Sequence, residues 1–164
     1  MQSKEVKSVH FTGICGTAMA STAVALKERG FTITGSDQNV YPPMSTFLAS
    51  KQIEVMNGYA EANLNHKPDL VVVGNAISRG NVELEEVLDR KIHYCSLPEA
   101  VRDHFLWQSR SVVIAGTHGK TTTTGLTVAA LRGAGIDPSH LIGGEVPELG
   151  GNGHGGQDQE FVVE

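Results

Sequence analysis

Short apolar runs alternate with segments of helical periodicity along most of the chain. The residues from Asp69 to Ser78, DLVVVGNAIS, hold a continuous apolar run between a proline and a Gly/Asn turn, which is typical of a central parallel strand buried on both faces. The stretch from Val6 to Gly13 predicts another strand, which ends in a glycine turn. The segment TAMASTAVALKERG predicts a helix that buries Met19, Ala23 and Leu26.

The same alternation continues towards the middle of the chain. Further strands are predicted over FTITGSD, IEVMNG and IHYCS, and further helices over PPMSTFLASKQI, NVELEEVLDRK and LPEAVRDHF. In NVELEEVLDRK the apolar side chains are expected to face inward: Val82, Leu84, Val87 and Leu88. Strands and helices in this rhythm predict βαβ units and a parallel sheet.

After a predicted linker, LWQSR, the alternation starts again. SVVIAG predicts a strand, a glycine loop follows, and TTTTGLTVAALRGAG predicts a long helix. The glycine-rich segment from Ile142 to Gly156 lacks periodicity and is expected to be a mobile loop. FVVE at residues 161–164 predicts one more buried strand.

Composition narrows the class of protein. The chain has 164 residues, enough for one well-packed domain but hardly for two complete ones, since a domain typically has about 100–200 residues. Its net charge of −5 gives no broad basic face, so neither nucleic acid nor anionic lipid is expected as a partner. No apolar run reaches the roughly 18 residues of a spanning helix, and MQSKEVKSVH lacks a secretory apolar core. We therefore expect a cytoplasmic protein without a membrane partner. Cys15 and Cys95 are expected to be free thiols.

The stretch VVIAGTHGKTTTT predicts a phosphate-binding loop. An apolar run that predicts a buried strand turns through small residues into a predicted helix, whose first amides would point at an anion in the turn. Lys120 can reach outer phosphates, and the Thr121 hydroxyl can ligate a bridging magnesium ion. The pattern departs from GxxxxGK[ST], which would need glycine at Ile114. His118 is either a phosphate contact or a turn residue.

A second candidate phosphate loop, FTGICGTAMA, joins the first strand to the first helix. Its glycines are Gly13 and Gly16, and Asp37 follows the next strand. A GxGxxG motif would need glycine at Cys15 and Ala18, so an NAD or NADP site is less favoured than another nucleotide diphosphate. A purely structural turn is the remaining alternative.

Polar side chains also follow the most apolar strand, in NAISRGN: Asn75, Ser78, Arg79 and Asn81. In open α/β sheets ligands bind at the carboxyl ends of strands, so these side chains can bond a sugar or a phosphate. Alternatively, Asn75 and Ser78 form the turn, and Ser78 or Asn81 caps the next helix. The sequence leaves both interpretations open.

Together, GICGTAM leading to GSD, VVVGNAIS and AGTHGKTTTT resemble the Mur ligase family, the ATP-dependent amide ligases of bacterial peptidoglycan metabolism. The resemblance implies an α/β fold with a Rossmann-like parallel sheet domain over residues 1–109, which binds UDP-N-acetylmuramate. Residues 110–164 would be the start of a P-loop ATPase α/β domain. The resemblance implies that a third domain, which carries the incoming amine, is not among these residues, so we expect that this polypeptide alone cannot form the amide bond and binds ATP poorly.

Within the family, GSDQNVYPPMSTFL and GNAISRGN look most like the branch that joins UDP-N-acetylmuramate to a murein tripeptide, L-alanyl-γ-D-glutamyl-meso-diaminopimelate, in peptidoglycan recycling. Cys15 also favours that branch. The branch that adds L-alanine is the alternative. In the implied mechanism the muramoyl carboxylate attacks the ATP γ-phosphate, and an amine displaces phosphate from the resulting acyl phosphate. The amine acceptor and the oligomeric state stay open.

The resemblance also implies residue roles by matching motif. The ATP phosphate site would consist of Gly116, Thr117, His118, Gly119, Lys120, Thr121 and Thr122, with Lys120 catalytic. The magnesium ligands would be Thr121 and Glu164, so ATP and Mg²⁺ are the expected cofactors. The UDP-substrate site would consist of Gly13, Cys15, Gly16, Thr17, Asp37, Asn75 and Ser78.

Two other functions compete with this interpretation. The first is an NAD-binding dehydrogenase domain built on the first loop, against which the broken glycine spacing counts. The second is a stand-alone nucleotide-binding module, which would require FVVE to end a finished sheet.

Overall fold

Two sheets organise the chain in a computed structural model, which describes residues 6–107, 109–144 and 146–164. The first sheet is entirely parallel, in the order β3-β2-β1-β4-β5. Its strands are β1 (Ser8–Thr12), β2 (Thr32–Asp37), β3 (Glu54–Asn57), β4 (Leu70–Val73) and β5 (Tyr94–Ser96). Its helices are α1 (Thr17–Glu28), α2 (Met44–Ser50), α3 (Val82–Asp89) and α4 (Leu97–Val101), with a 3₁₀ turn at Glu61–Leu64. A π-helical turn, Arg102–Leu106, extends α4.

The second sheet has four strands in the order β6-β9-β7-β8. They are β6 (Arg110–Val113), β7 (Ser139–Leu141), β8 (Gly153–His154) and β9 (Glu160–Val163). A long helix, α5 (Lys120–Gly133), follows β6, and a 3₁₀ turn at Pro147–Leu149 precedes β8. Strand β9 lies parallel between β6 and β7, whereas β8 pairs antiparallel with β7. The predicted α/β fold is confirmed, and FVVE lies in a strand as expected.

Helix α1 lies between the two sheets. Every residue from Met19 to Leu26 is buried, because one side of the helix packs on the first sheet and the other contacts β7 and β8. The backbones come close at Gly153, where an added Cβ would lie 2.6 Å from the Ser21 carbonyl oxygen. Glycine at this position therefore lets β8 approach the helix.

Arg29, just after α1, links the same parts of the chain. Its guanidinium carbon lies 4.3 Å from the centre of the Phe105 ring, a cation–π contact. Its Nη2 donates a hydrogen bond to the Ser139 hydroxyl at 3.2 Å. The Phe105 ring in turn packs 5.2 Å from that of Phe161 on β9, so one continuous apolar core joins the two sheets.

Some sequence-based predictions are wrong in detail. Val82 does not face inward, since it is 51% exposed, and the neighbouring Glu83 is buried instead. The glycine-rich segment is not without regular structure, because β8 pairs with β7 and Asn152 is buried. Strand β7 was not predicted at all. Gln108 of the predicted linker and Glu145 of the glycine-rich segment lie outside the described residues. Among the helices that the structure describes, none is both long and apolar enough to cross a bilayer.

Candidate functional site

A cavity of about 420 Å³ lies at the carboxyl edge of the first sheet, where open parallel sheets bind ligands. Its walls come from four segments: the turn after β1, the loop from β2 into α2, the loop after β3, and the turn after β4. Of the predicted UDP-substrate residues, five line it: Gly13, Cys15, Gly16, Asp37 and Asn75. Thr17 and Ser78 do not line it, and Ser78 is exposed, with its carbonyl bonded to the Asn81 amide. Their ligand roles stay predictions.

The turn after β1 is fixed to β2 by backbone hydrogen bonds. Gly13 has a φ of 89°, in the left-handed region that favours glycine. This conformation lets the amides of Gly13 and Ile14 both donate to the Ser36 carbonyl oxygen, at 2.8 and 3.1 Å. Beneath the turn, a Cβ on Gly35 would come within 2.5 Å of the Ile14 side chain. The turn and the strand end therefore pack as one rigid unit.

The side chain of Asp37 also fixes the turn after β1. The residue is 8% exposed, and its Oδ2 accepts a hydrogen bond from the Cys15 amide at 2.9 Å. Its Oδ1 accepts one from the Asn39 amide, also at 2.9 Å. Burial and, second, the charge of Asp37 raise the pKa of the Cys15 thiol to about 11. Asp37 thus orders the cavity wall as well as lining it, and the thiol is neutral at physiological pH.

Helix α1 begins at the cavity. Gly16, its N-cap residue, lines the cavity and has no side chain with which to cap the helix. The first-turn amides of an uncapped helix carry partial positive charge and favour an anionic ligand. The phosphates of a nucleotide diphosphate suit this end of the cavity.

Several cavity residues were missed by sequence reasoning. Tyr41 is 64% exposed at the cavity, and Tyr59 lines another wall. Burial and, second, the charge of Asp37 raise the pKa of the Tyr59 phenol. Both tyrosines lie in loops without periodicity, so no pattern marks them. The only available signal was topological, because loops that follow parallel strands meet at one edge of the sheet.

The second candidate site is the loop between β6 and α5. Gly119 precedes the helix with a φ of 76°, again in the left-handed region. The Lys120 ammonium donates a hydrogen bond to the Gly116 carbonyl oxygen at 2.9 Å, so the lysine closes over its own loop. Thr117, His118 and Thr122 are exposed around it, and the His118 Nδ1 lies 3.2 Å from the Thr117 hydroxyl. This geometry leaves the role of His118 open.

The carboxylate of Glu164, just after β9, accepts hydrogen bonds from several donors beside this loop. Thr121 donates its hydroxyl hydrogen to Oε1 at 3.0 Å, and the Gly143 amide donates to the same oxygen at 2.7 Å. Thr124 lies 3.4 Å from Oε2. Gly144 packs against this group so closely that a Cβ there would lie 2.8 Å from the Thr121 methyl carbon. The two predicted magnesium ligands, 43 positions apart, are therefore in direct contact.

The chemistry of this pair fits magnesium. Mg²⁺ prefers oxygen ligands and is usually bound by one or two protein groups together with phosphates and water. Thr121 and Glu164 supply a hydroxyl and a carboxylate next to a phosphate-type loop. Within residues 6–107, 109–144 and 146–164, no group of three or more His, Cys, Asp or Glu side chains is placed to hold a metal by itself. An ion at this pair would thus depend on phosphate oxygens as well.

Two helices begin just after parallel strands, the second of them within a Gly-Lys-Thr motif, and this arrangement is typical of nucleotide-binding α/β proteins. A family profile described as "Mur ligase family, catalytic domain" matches residues 8–106. The chain belongs to the Mur ligase family, and the resemblance seen in its motifs is confirmed.

Individual relatives agree with this assignment. The UDP-N-acetylmuramate–L-alanyl-γ-D-glutamyl-meso-2,6-diaminoheptandioate ligase of Haemophilus influenzae is 43% identical over 159 residues, 97% of this chain and 35% of its own length. The UDP-N-acetylmuramate–L-alanine ligase of Parasynechococcus marenigrum is 39% identical over 164 residues, 95% of this chain and 34% of its own length. The chain therefore spans about a third of the length of these curated relatives.

A solved structure of the tripeptide ligase from Neisseria meningitides superposes with a TM-score of 0.90 at 36% identity. The superposition covers 98% of this chain and 52% of that one. The similarity therefore extends over both sheets.

Proposed function

We propose that the chain belongs to an ATP-dependent amide ligase that joins UDP-N-acetylmuramate to a murein tripeptide in the cytoplasm, in peptidoglycan recycling. The observation that carries the proposal is the contact between Thr121 and Glu164 at 3.0 Å, beside Lys120. This contact brings a hydroxyl and a carboxylate to a phosphate-type loop, as the binding of ATP with Mg²⁺ requires. The cavity on the first sheet is the second, separate nucleotide site that a ligase of this kind needs.

Each of the two sheets would bind a different substrate. Residues 1–109 form the proposed UDP-N-acetylmuramate domain, in which the uncapped start of α1 takes the pyrophosphate and Asn75 lies near the sugar or base. Residues 110–164 form the proposed start of the ATP domain. There the loop from Gly116 to Thr122 holds the ATP phosphates, and Lys120 neutralises charge on the phosphoryl group that is transferred. Magnesium, when bound, would supply further charge neutralisation.

The tripeptide is favoured as the amine over L-alanine by one comparison. The tripeptide ligase of Haemophilus influenzae is 43% identical to the chain over 159 aligned residues, whereas the L-alanine ligase of Parasynechococcus marenigrum is 39% identical over 164. The motifs GSDQNVYPPMSTFL and GNAISRGN point in the same direction.

Calorimetric titration of the 164-residue chain with UDP-N-acetylmuramate, UDP, NADH and ATP with Mg²⁺ tests the proposal. We expect saturable heat with UDP-N-acetylmuramate and weak heat with ATP. Lys120→Ala should remove the ATP signal and leave the UDP-N-acetylmuramate signal unchanged, because the lysine lies on the other loop.

A pair of glycine variants provides a matched control for the first site. Gly13 and Gly30 lie before and after α1 with similar φ angles, 89° and 93°, so alanine would have to adopt an unfavourable φ at both. Only Gly13 lines the cavity, and only Gly13→Ala should weaken UDP-N-acetylmuramate binding. The absence of heat at millimolar UDP-N-acetylmuramate would refute the assignment of the first site. A preference for NADH would support a dehydrogenase domain instead.

A further inference from the structure

Glu83 is a buried carboxylate close to the cavity, although it does not line it. It lies in the first turn of α3, and its side chain is completely buried. Its Oε1 is within hydrogen-bond distance of three side chains: His10 at 3.1 Å, Thr12 at 2.7 Å and Ser36 at 2.5 Å. Its Oε2 accepts from the Asn63 side chain at 2.7 Å and the Ala60 amide at 3.5 Å.

These contacts keep Glu83 ionised. Burial alone would raise the pKa of this carboxyl, but the hydrogen bonds outweigh it and lower the pKa to about 2. The side chains that lower it are His10, Ser36, Thr12 and Asn63. A charge held in an apolar interior requires such a complete set of donors. The anion and its donors therefore form one ordered unit.

Three of the donors are direct chain neighbours of cavity residues: Thr12 precedes Gly13, Ser36 precedes Asp37, and Ala60 follows Tyr59. The helix that carries Glu83 follows the fourth cavity segment, the turn after β4. The Asn81 side chain caps that helix by accepting from the Glu83 and Leu84 amides at 3.0 and 3.1 Å. One carboxylate thus bonds to residues next to three of the four cavity segments, and its own helix follows the fourth.

Stability alone does not require a charge at this place. Buried ionic groups can often be replaced by apolar residues of similar volume at no loss of stability, because desolvation offsets much of the electrostatic gain. A network of this kind does fix the relative positions of its members, since each hydrogen bond is directional and each partner group is engaged in one. The contacts of Glu83 therefore suit a role in ordering the cavity.

We propose that Glu83 is a positioning residue for the sugar-nucleotide site, because its carboxylate fixes the turn after β1, the end of β2 and the loop after β3 relative to one another. This inference rests on the function proposed above for the cavity. Glu83 acts through its neighbours, and its loss should change the shape of the site before any ligand is present.

The test compares Glu83→Gln with the wild-type chain. Glutamine keeps the size of the side chain, but it loses the charge and turns two hydrogens towards groups that are themselves donors. We expect affinity for UDP-N-acetylmuramate to fall about tenfold, the effect of losing one hydrogen bond to a charged group. In the free chain, the amide NMR resonances of Gly13, Asp37 and Tyr59 should shift.

Val87→Ala is the matched control. Val87 is completely buried on the same helix, one turn beyond Glu83, and packs in a small separate cluster with Leu64 and Val71. Its truncation should lower stability, yet leave the affinity and the three resonances unchanged. An equal loss of affinity in Val87→Ala would show that only general stability matters and would overturn the inference.

Other outcomes are equally decisive. The inference is overturned if a folded Glu83→Gln chain binds UDP-N-acetylmuramate with wild-type affinity. It is also overturned if binding is weaker but the three resonances do not change. If Glu83→Gln does not fold, Ser36→Ala is measured instead, since it removes a single hydrogen bond to the carboxylate. Unchanged affinity of Ser36→Ala for UDP-N-acetylmuramate also overturns the inference. If the wild-type chain itself does not bind, the proposed function fails, and the resonances of the free chain decide whether Glu83 orders these segments.

Discussion

Replacing Glu83 with glutamine is expected to remove a defined acid-sensitive part of the free energy of unfolding. The hydrogen bonds around this carboxyl outweigh its burial and lower its pKa from 4.5 to about 2, so on acidification the unfolded chain takes up a proton before the folded chain does. A lowered pKa stabilises the fold above the unfolded value, and this stabilisation is lost as the pH falls from 4.5 towards 2. At about 1.4 kcal/mol per pH unit between the two values, the full contribution is about 3 kcal/mol.

Urea unfolding at several pH values measures this contribution. Between about pH 5 and pH 3.5, the wild-type chain should lose roughly 1 kcal/mol that Glu83→Gln does not lose. Two imidazoles belong to the same network: His10 contacts Glu83, and the His66 ring lies 5.5 Å from that of His10. Burial and, second, His10 lower the pKa of His66, so this imidazole titrates closer to the same acid range. Both chains carry His66, and the measurement therefore uses the difference between them.

Asp89→Asn is the control for this experiment. Asp89 is an exposed carboxylate at the end of the same helix, and its removal should leave the wild-type loss between about pH 5 and pH 3.5 in place. If the wild-type and Glu83→Gln chains lose stability in parallel over that range, the low pKa of Glu83 and the argument built on it are wrong.

Three further changes test separate parts of the structure. Gly35→Ala should lower the free energy of unfolding in urea by about 1–3 kcal/mol, because the added Cβ would meet the Ile14 side chain. Gly133→Ala is the control: an added Cβ meets nothing at this helical position, so the change should be neutral or slightly stabilising. Iodoacetamide should modify the Cys15 thiol slowly at neutral pH and faster above about pH 9, because its pKa is raised; rapid labelling at neutral pH would contradict this. Arg29→Ala removes a hydrogen bond to β7 and a cation–π contact with Phe105. The second sheet should therefore become more sensitive to limited proteolysis than the first. Equal sensitivity of the two sheets would show that other contacts hold them together.

The main elements of the fold could be predicted because they carry local signals. The apolar run in Leu70–Val73 predicted a central strand, and β4 indeed lies between β1 and β5. Strand β7, in contrast, has only three residues, Ser139–Leu141, and owes its conformation to pairing with β8 and β9. A strand that depends on partners elsewhere in the chain leaves no periodic pattern in its own sequence.

Glu83 shows the same limit at the site. Its helix has apolar residues on either side of it, and apolar periodicity therefore predicted Val82 and Leu84 to be inward. The carboxylate is inward instead because its donors come from three other segments, the nearest of them Asn63, 20 positions away. Motifs found both candidate phosphate loops because their chemistry is local, whereas the contacts of Glu83 could be found only in three dimensions.

The two loops are ordered by different means, and this difference predicts how each responds to a ligand. Side chains from other segments hold the first loop, since Asp37 binds the Cys15 amide and Glu83 binds the adjoining strand ends. In the second loop, Lys120 donates to the Gly116 carbonyl within the loop itself, and a phosphate would have to draw the ammonium away. We therefore expect the first cavity to bind its ligand with little rearrangement, whereas the second loop would have to exchange an internal hydrogen bond for a phosphate contact. Affinity at the first site should depend on the network of Glu83, and affinity at the second on the strength of the competing phosphate charge.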